Sequence, residues 1–199
     1  MPVLVDNRAG AGGSLAVNLV AKSPADGYNL VFTALSPLTL SPHLGPLPYD
    51  ALKDLTPVAS VMYSPVVIAA TPALAQGDFK ALLQRARQQP DALRWATSGS
   101  GSLGHLMLEN IRSTAQVRIT HVPYKGGGQQ ITDALSGQFE ILSTNASGMT
   151  LQHIQQGRLR ALAVGAAARL DALPGVPTLA ELGFASANFS SQFGIFAPS

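Results

Sequence analysis

The sequence predicts an α/β fold in which helices cover a parallel sheet. Short apolar, β-prone segments alternate with segments of helical periodicity, and glycine- or serine-rich loops separate them. Between residues 93 and 164 the chain repeats a strand–loop–helix unit three times before a further strand. Parallel neighbouring strands need a crossover of this kind, so the repeats favour a parallel sheet with helices on its faces.

The first part of the chain contains three predicted strands and one predicted helix. Val3–Val5 is apolar and β-prone, and the glycine-rich loop Gly10–Gly13 follows it. Ser14 is a suitable N-cap for a helix whose apolar residues recur at a spacing of four. Leu30–Ala34 has the composition of a buried strand. Val58–Ala70 predicts a long strand, interrupted by the Ser-Pro pair at residues 64 and 65.

The rest of the chain supplies the repeated units and two capping signals. Asp78 can cap a helix that starts at Phe79, and Thr178 with Glu181 forms a capping box that predicts another helix, ending at Gly183. A last short strand is expected over residues 193–197. The repeated strands are expected at Leu93–Thr97, Val117–Val122, Phe139–Ser143 and Leu159–Val164, and the intervening helices at residues 103–111, Gln129–Leu135 and Leu151–Gln156.

Composition and charge exclude several classes of protein. The chain has no cysteine, so disulfides, thiolate catalysis and cysteine-based metal sites are excluded. Only 12% of the residues are charged, the net charge is +2 and there is one tryptophan, which argues against a nucleic-acid partner. No apolar run approaches the roughly 18 residues that a membrane span requires, so we expect no direct insertion into a membrane.

Four polar, glycine-containing loops are expected at one edge of the sheet. In open α/β sheets, ligands bind beyond the carboxyl ends of the strands, and backbone N–H groups at helix starts favour a carboxylate or phosphate. For any single loop, an ordinary strand-to-helix turn explains the same residues, but four together favour a site for a small anion. The loops are Leu35–Pro37, Ser98–Ser102, Tyr124–Gly128 and Thr144–Gly148.

Two individual side chains near these loops have more than one interpretation. Lys125 lies in a glycine run, where it either attracts an anionic ligand or is a solvated loop charge. His105 follows the Ser98–Ser102 loop in the first turn of a predicted helix. It either donates a hydrogen bond to a bound anion or packs against a neighbouring loop.

A dinucleotide site is the main rival interpretation. Gly99-x-Gly101-x-x-Gly104 fits the glycine fingerprint and lies between a predicted strand and helix. The fingerprint also expects an acidic residue roughly 20 residues further on, to hold the ribose. The next strand ends at Tyr124-Lys125-Gly126 instead, although Lys125 would suit the 2′-phosphate of NADP. An NADP-type enzyme therefore stays open from these motifs alone.

Other catalytic signatures are missing from the sequence. There is no Gly-x-Ser-x-Gly nucleophile elbow, and His105 follows Gly104 where a Walker motif would have lysine. The four histidines lack metal-ligand spacing. Asp133 is expected to be solvated within a helix, and Glu109, Glu140 and Glu181 are interpreted as helix or strand surface. Without an acid–base pair, we expect no enzyme, no metal and no cofactor.

Several segments, in order along the whole chain, resemble one family. Val5–Gly13 is similar to its "ENRPGAGG" segment, Pro24–Tyr28 to "PDGYT", Ser98–His105 to "SGNGTSSH" and Gly157–Val164 to "GKLRALAV". His121–Gly126 matches "HVPYKG" outright, and residues 47–58, 173–178 and 193–198 continue the series. On these motifs the chain resembles the Bug family, the TctC-like solute receptors of tripartite tricarboxylate transporters.

The resemblance implies a type II periplasmic binding-protein fold, with two α/β domains, a ligand cleft and hinge closure. Domain 1 would comprise residues 1–64 and 189–199, and domain 2 residues 65–188. The ligand would be a small carboxylate, such as an amino acid, a di- or tricarboxylate or an aromatic acid, passed in the periplasm to membrane permease subunits. The implied ligand-binding residues are Ser36, Ser98, Gly99, Ser100, Gly101, Ser102, His105, Tyr124, Lys125, Gly126, Thr144 and Asn145.

The sequence departs from the family pattern at both ends and in two loops. The signal peptide, first strand and "PFAPGG" loop of family members have no counterpart before Met1, nor has their segment after "FAPS", so domain 1 is expected to be incomplete. Thr144-Asn145 stands where the family has Asp-Asn, and Pro37 removes a backbone donor. A degenerate, non-binding fragment is therefore a third hypothesis, which predicts an exposed apolar edge where the first strand is absent.

Overall fold

The computed structural model describes residues 2–74 and 76–199. The helices are α1 (Ser14–Ala21), α2 (Ser36–Thr39), α3 (Phe79–Gln88), α4 (Leu103–Ala115), α5 (Gly127–Leu135) and α6 (Gly148–Gln155). The strands are β1 (Val31–Ala34), β2 (Leu55–Ala70), β3 (Arg94–Thr97), β4 (Thr120–Pro123), β5 (Ile141–Asn145), β6 (Arg160–Gly165) and β7 (Ser190–Pro198). Short 3-10 helices cover Ala11–Gly13, Ser41–His43 and Ala185–Ala187.

The long strand β2 belongs to both parts of the sheet. Its first part, Leu55 to Pro65, pairs with β7, and β7 pairs in turn with β1. Its second part, Val66 to Ala70, lies between β5 and β6. Beyond β5, the order continues through β3 to β4. The predicted interruption at the Ser-Pro pair is therefore a change of partners within one continuous strand.

The prediction of a parallel sheet is right for only part of the molecule. Strand β3 runs parallel to both β4 and β5, as the repeated units require. However, β2 is antiparallel to β5, β6 and β7, and β7 is antiparallel to β1. Strands β5 and β6 run in the same direction but do not pair with each other. The sheet is mixed because β2 lies between them and runs in the opposite direction.

Two predicted elements do not form. Val3–Val5 lies outside any strand with Val3 90% exposed, because no strand among the described residues pairs with its backbone. Thr178 and Glu181 make both capping-box hydrogen bonds, at 2.7 and 3.1 Å, but only turns follow. The Leu182 amide donates to Thr178 O and the Phe184 amide to Leu179 O, so a single turn closes at Gly183, whose φ is +88°, before a helix can extend.

The helix starts agree with the sequence in two cases and differ in one. Asp78 caps α3 by accepting from the Ala81 amide at 2.9 Å, and α4 begins at Leu103 as its periodicity predicts. Ser14 is the first residue of α1 rather than its cap, because Gly13 precedes the helix with φ +105°. The Ser14 hydroxyl instead accepts a hydrogen bond from Tyr49 Oη at 3.1 Å.

Apolar side chains form three clusters around the sheet. One face of the second part packs against α3 and α4 around Trp95, and the other packs against α5 around Phe139. A smaller cluster around Val17 lies under α1. Some large apolar side chains of β1 and β2 are exposed, with Phe32 54% and Tyr63 67% exposed. Within the described ranges, no helix has the length and apolarity to cross a membrane.

Glu140 is not the surface residue that its sequence context indicates. It is 8% exposed, and its carboxylate accepts from Nε and Nη2 of Arg94 at 3.1 and 2.7 Å and from the Arg94 amide at 2.8 Å. Burial raises the pKa of Glu140, but these hydrogen bonds outweigh burial and leave the pKa below its ordinary value. The pair ties the start of β3 to the start of β5.

Candidate functional site

Three of the four predicted loops leave the sheet at the same edge. Because β3 runs parallel to β4 and to β5, the carboxyl ends of these strands, Thr97, Pro123 and Asn145, point the same way. The Ser98–Ser102 loop and the loop from Tyr124 to Gly126 are in direct contact. The Tyr124 amide donates to Thr97 O at 3.0 Å, and a Cβ on Gly99 would lie 3.2 Å from Tyr124 O.

The Ser98–Ser102 loop depends on two glycines with left-handed backbone. Gly99 has φ +141° and Gly101 has φ +77°, conformations that residues with a Cβ rarely adopt. Ser102 ends the loop and caps α4, with Oγ accepting from the His105 amide at 3.3 Å and donating to Gly99 O at 2.7 Å. Ser100 is exposed, Ser98 is half-buried and Gly101 is buried. The loop therefore presents backbone and the Ser100 side chain at its surface.

The glycine-rich loop Gly10–Gly13 reaches this site, which the sequence interpretation missed. A Cβ on Gly12 would lie 3.0 Å from Ser100 O, and one on Gly13 would lie 2.9 Å from Cγ of Pro37. The loop thus lies between Ser98–Ser102 and the start of α2, where Ser36 is buried. The signal was in the sequence: three glycines within four residues favour a backbone that something else approaches closely.

The Tyr124 hydroxyl makes a hydrogen bond within the protein and is not presented to a ligand at the surface. Its Oη donates to Oδ2 of Asp133 at 2.8 Å, so Asp133 is a hydrogen-bond partner and not merely solvated as expected. Burial, and then the hydrogen bond and the charge of Asp133, raise the pKa of Tyr124 to about 12. Lys125 is exposed, whereas Gly126 is half-buried, with its Cβ position 3.3 Å from Ala9.

Thr144 and Asn145 end strand β5 beside β2, paired with Val67 and Val66. Both are half-buried. The structure connects this strand end to the Ser98–Ser102 side of the sheet through Gln130, which sequence reasoning missed. Gln130 is fully buried, and its Nε2 donates to Ala96 O at 3.0 Å and Ser143 O at 3.1 Å. It thereby fixes the spacing of β3 and β5 just before their loops.

Two histidines pack behind the Ser98–Ser102 loop. The rings of His105 and His121 stack with centroids 4.2 Å apart and planes 13° apart. Nδ1 of His105 accepts from the Gly101 amide at 3.3 Å, and Nε2 of His121 is 2.8 Å from Oγ1 of Thr97. Burial, and then the charges of His105 and Arg112, lower the pKa of His121 to about 4. His121 is therefore neutral at neutral pH.

The glycine fingerprint is explained by packing within the chain. A Cβ on Gly104 would collide with the Ser143 side chain, and one on Gly99 would lie 3.0 Å from the Gly12 amide nitrogen. A Cβ on Gly101 would meet Leu44 at 3.2 Å. These three glycines are therefore required where other residues of the protein pack close to the loop and to α4. In the described part of the chain, no group of three or more His, Asp or Glu side chains could hold a metal ion.

Two open concavities are lined by residues outside the four loops. One, of about 430 Å³, lies between the start of α3 and strand β6. The other, of about 920 Å³, is lined by residues 38–54 of the proline-rich loop. Neither is lined by any of the four predicted loops' serines or by His105.

Comparison with known proteins identifies the family of this chain. The model of the tripartite tricarboxylate transporter family receptor, TctC, matches residues 1–199. The chain belongs to this receptor family. Protein BugT of Bordetella pertussis is 38% identical to it in an alignment of 201 positions that covers 99% of this chain and 61% of BugT. Nearly the whole of this chain matches these curated relatives, but it spans only about three fifths of their length.

Solved structures of TctC-like proteins share the fold. The periplasmic binding protein BugD has a TM-score of 0.92 at 27% identity, over 98% of this chain and 65% of BugD. MatC from Rhodopseudomonas palustris with bound malate has a TM-score of 0.91 at 28% identity, over 99% and 67%. R. palustris Rpa4515 with adipate has a TM-score of 0.88 at 32% identity, over 98% and 65%. These structures confirm the periplasmic binding-protein type of α/β fold.

Proposed function

We propose that this chain is the solute-binding part of an extracytoplasmic receptor that captures a small carboxylate for a tripartite tricarboxylate-type transporter. The observation that carries the proposal is the match to MatC with bound malate over 99% of this chain. Malate and adipate are both dicarboxylates, so a dicarboxylate is the first ligand class to test. The site of this chain supports the proposal, because the first turn of α5, which has no side-chain cap, and the exposed Ser100 hydroxyl offer hydrogen-bond donors to a carboxylate.

The proposed binding surface is formed by the three loops at the carboxyl ends of β3, β4 and β5, together with the start of α2. Ser98 to Ser102 contribute backbone and the Ser100 hydroxyl, and the backbone from Tyr124 to Gly126 lies directly beside them. Thr144 and Asn145 contribute side chains from the end of β5, and Ser36 contributes from the start of α2. Gly126 precedes α5 without a side-chain cap, which leaves N–H groups of the first turn for an anion.

We infer that the chain has two lobes, residues 1–64 with 189–199 and residues 65–188. Strand β2 supports this division, since it changes partners from β7 to β5 and β6 after Pro65. Contacts of Gly12 with Gly99 and of Ala9 with Gly126 would then join the two lobes across the binding loops. Rotation about residues 64–65 and 188–189 would separate or join these loops as a solute leaves or binds.

We also propose a partner and a location. A receptor of this kind would act in the periplasm and pass its solute to membrane permease subunits. It would not catalyse a reaction and would need no cofactor, because the proposed loops contain no acid–base pair or nucleophile–base pair of the kind that catalysis uses.

Thermal unfolding with a panel of acids tests the proposal. Malate, adipate, citrate, an amino acid and an aromatic acid are each added to the chain of residues 1–199, with NADP as a competing class. A ligand present at roughly 100 times its Kd stabilises the folded state by about 2.7 kcal/mol. We expect stabilisation by at least one acid and titration calorimetry with a stoichiometry of one. Stabilisation by NADP alone, or by none of these compounds, would overturn the proposal.

A further inference from the structure

The stacked histidines are placed to control the shape of the Ser98–Ser102 loop. His105 reaches the loop from α4, and His121 reaches it from β4. Each ring makes one hydrogen bond to the loop or to the residue before it. We propose that His105 and His121 are positioning residues, which hold the Gly101 amide and the Thr97 hydroxyl so that the loop keeps the conformation that binds a carboxylate.

The bond from Gly101 selects one tautomer of His105. Nδ1 of His105 accepts the Gly101 N–H at 3.3 Å, which assigns the proton of the ring to Nε2 while this bond is made. Nε2 is 3.6 Å from Oε1 of Glu109, whose carboxylate also accepts from Arg112. The acceptor nitrogen of His105 is thus occupied by the Gly101 amide of the loop. The role of His105 toward a bound solute is therefore indirect.

The bonds around Thr97 fix the protonation of His121 in the same way. Oγ1 of Thr97 donates to Gly99 O at 3.1 Å and accepts from the Gly99 amide at 3.3 Å. We assign the only hydrogen of this hydroxyl to Gly99 O, which makes Nε2–H of His121, 2.8 Å away, the donor to Oγ1. His121 thus completes the hydrogen bonding of a fully buried threonine whose partners begin the loop.

Stacking joins the two rings into one unit. At 4.2 Å between centroids, a shift of either ring moves its neighbour, and both positions affect the backbone on either side of Ser100. Arg112 and Glu109 of α4 are the charged groups that face the pair, and Arg112 also donates to Ile119 O before β4. The pair is therefore anchored to both α4 and β4, and it supports the loop from behind.

Amide hydrogen exchange of the free protein tests this inference without a ligand. In H105L and H121L, which remove the acceptor and the donor, we expect the Gly101 or Gly99 amide to exchange roughly tenfold faster. H105N keeps an acceptor where Nδ1 lies, and H121Q keeps a donor where Nε2 lies, so both should restore slow exchange. Ring ¹⁵N shifts should show both histidines as Nε2–H tautomers. H43N, at an exposed histidine, is the control.

Three outcomes would overturn the inference. The first is unchanged exchange in H105L and H121L, and the second is the same acceleration in the conservative variants as in the leucine variants. The third is a ring tautomer with the proton on Nδ1.

A carboxylate identified by the thermal screen adds a second readout, which rests on the proposed function. H105L should lower the affinity for this carboxylate at least tenfold, and H105N should lower it much less. If no acid binds the unmodified chain, the proposed function fails while the exchange data still decide the role of the histidines.

Discussion

Gly99 lies so close to Gly12 that a Cβ on Gly99 would be 3.0 Å from the Gly12 amide nitrogen and 3.2 Å from its Cα. Gly99 also has φ +141°. A G99A substitution therefore combines backbone strain with a clash between two loops that are far apart in sequence. We expect it to lower the free energy of unfolding by about 1–3 kcal/mol. Urea unfolding monitored by circular dichroism measures this change.

Gly128 is the matched control for that substitution. It is exposed in the first turn of α5, and nothing lies within 4 Å of the position a Cβ would take. G128A should leave the stability unchanged or raise it slightly, because alanine favours helix more than glycine does. Equal destabilisation by both variants would show that close approach to Gly12 is not what requires glycine at position 99.

Much of the second part of the fold follows from local sequence. The strand–loop–helix repeats predict the parallel pairing of β3, β4 and β5, and Asp78 predicts the start of α3. Val3–Val5 and the Thr178 capping box carry equally clear local signals, yet neither element forms. The Thr178 segment closes after one turn at Gly183, and a strand at Val3–Val5 would need a partner for its backbone. The missing strand partner is a tertiary requirement that a local pattern does not show.

The candidate site shows the same division. The Ser98–Ser102 loop and His105 were predicted from glycine and serine patterns, because turns and helix caps depend on residues close in sequence. The roles of Gly12 and Gln130 depend on contacts with residues more than ten positions away, as in the hydrogen bond from Gln130 to Ala96 O. The commitment of the Tyr124 hydroxyl to Asp133 likewise needs the docking of α5 on β4. Contacts of this kind, between residues distant in sequence, cannot be predicted from local patterns in a single sequence.

The Arg94–Glu140 pair should contribute to stability in a pH-dependent way. The pKa of Glu140 is below its ordinary value when folded, so the contribution is present above the unfolded value and is lost as the pH falls through the folded one. R94A leaves a buried carboxylate without its partner and should cost about 1–3 kcal/mol near neutral pH, discounted for the half-exposed arginine.

A double-mutant cycle with R94A and E140Q, measured near neutral pH and again in acid, separates this pair from other carboxylates. Coupling that is as strong in acid as at neutral pH would contradict the assignment. Arg169 and Glu181 form an exposed pair at 3.0 Å and serve as the matched control, since exposed pairs contribute little.

His121 should make the protein less stable as the solution is acidified. Its pKa falls from 6.5 to about 4 on folding, so the unfolded chain takes up a proton between these values while the folded protein does not. Stability attributable to His121 is full above the unfolded pKa and declines below it, by about 1 kcal/mol at about pH 5 once solvent screening of the half-buried ring is discounted. H121Q, which cannot titrate, should lose correspondingly less stability between about pH 7.5 and pH 5 in chemical denaturation. A pH dependence identical to that of the unmodified chain would refute the prediction.

Removing the Tyr124 hydroxyl should affect packing more than binding. Because Oη donates to Asp133 at 2.8 Å, Y124F leaves a carboxylate without one partner and should destabilise the protein by about 1 kcal/mol. The affinity for any acid found in the thermal screen should change less than twofold, since the backbone of residue 124, and not its hydroxyl, borders Gly99. Calorimetric titration of Y124F measures this, and a large loss of affinity at unchanged stability would place the hydroxyl in the binding surface. Y63F, at an exposed tyrosine, is the control.

Lys125 should act on the rate at which an anionic solute arrives. Its side chain is exposed, and no salt bridge within residues 2–74 and 76–199 includes it, so its charge acts mainly through the field at the loop edge. K125Q should lower the association rate constant by about two- to fivefold at low salt, with little change in the dissociation rate. The difference should shrink as salt is added, because screening weakens interactions between exposed charges. Stopped-flow binding of an acid that the thermal screen identifies, at two ionic strengths, measures both rates. K80Q, at an exposed lysine on α3, is the matched control. A K125Q effect confined to dissociation and insensitive to salt would instead mean that Lys125 contacts the bound solute.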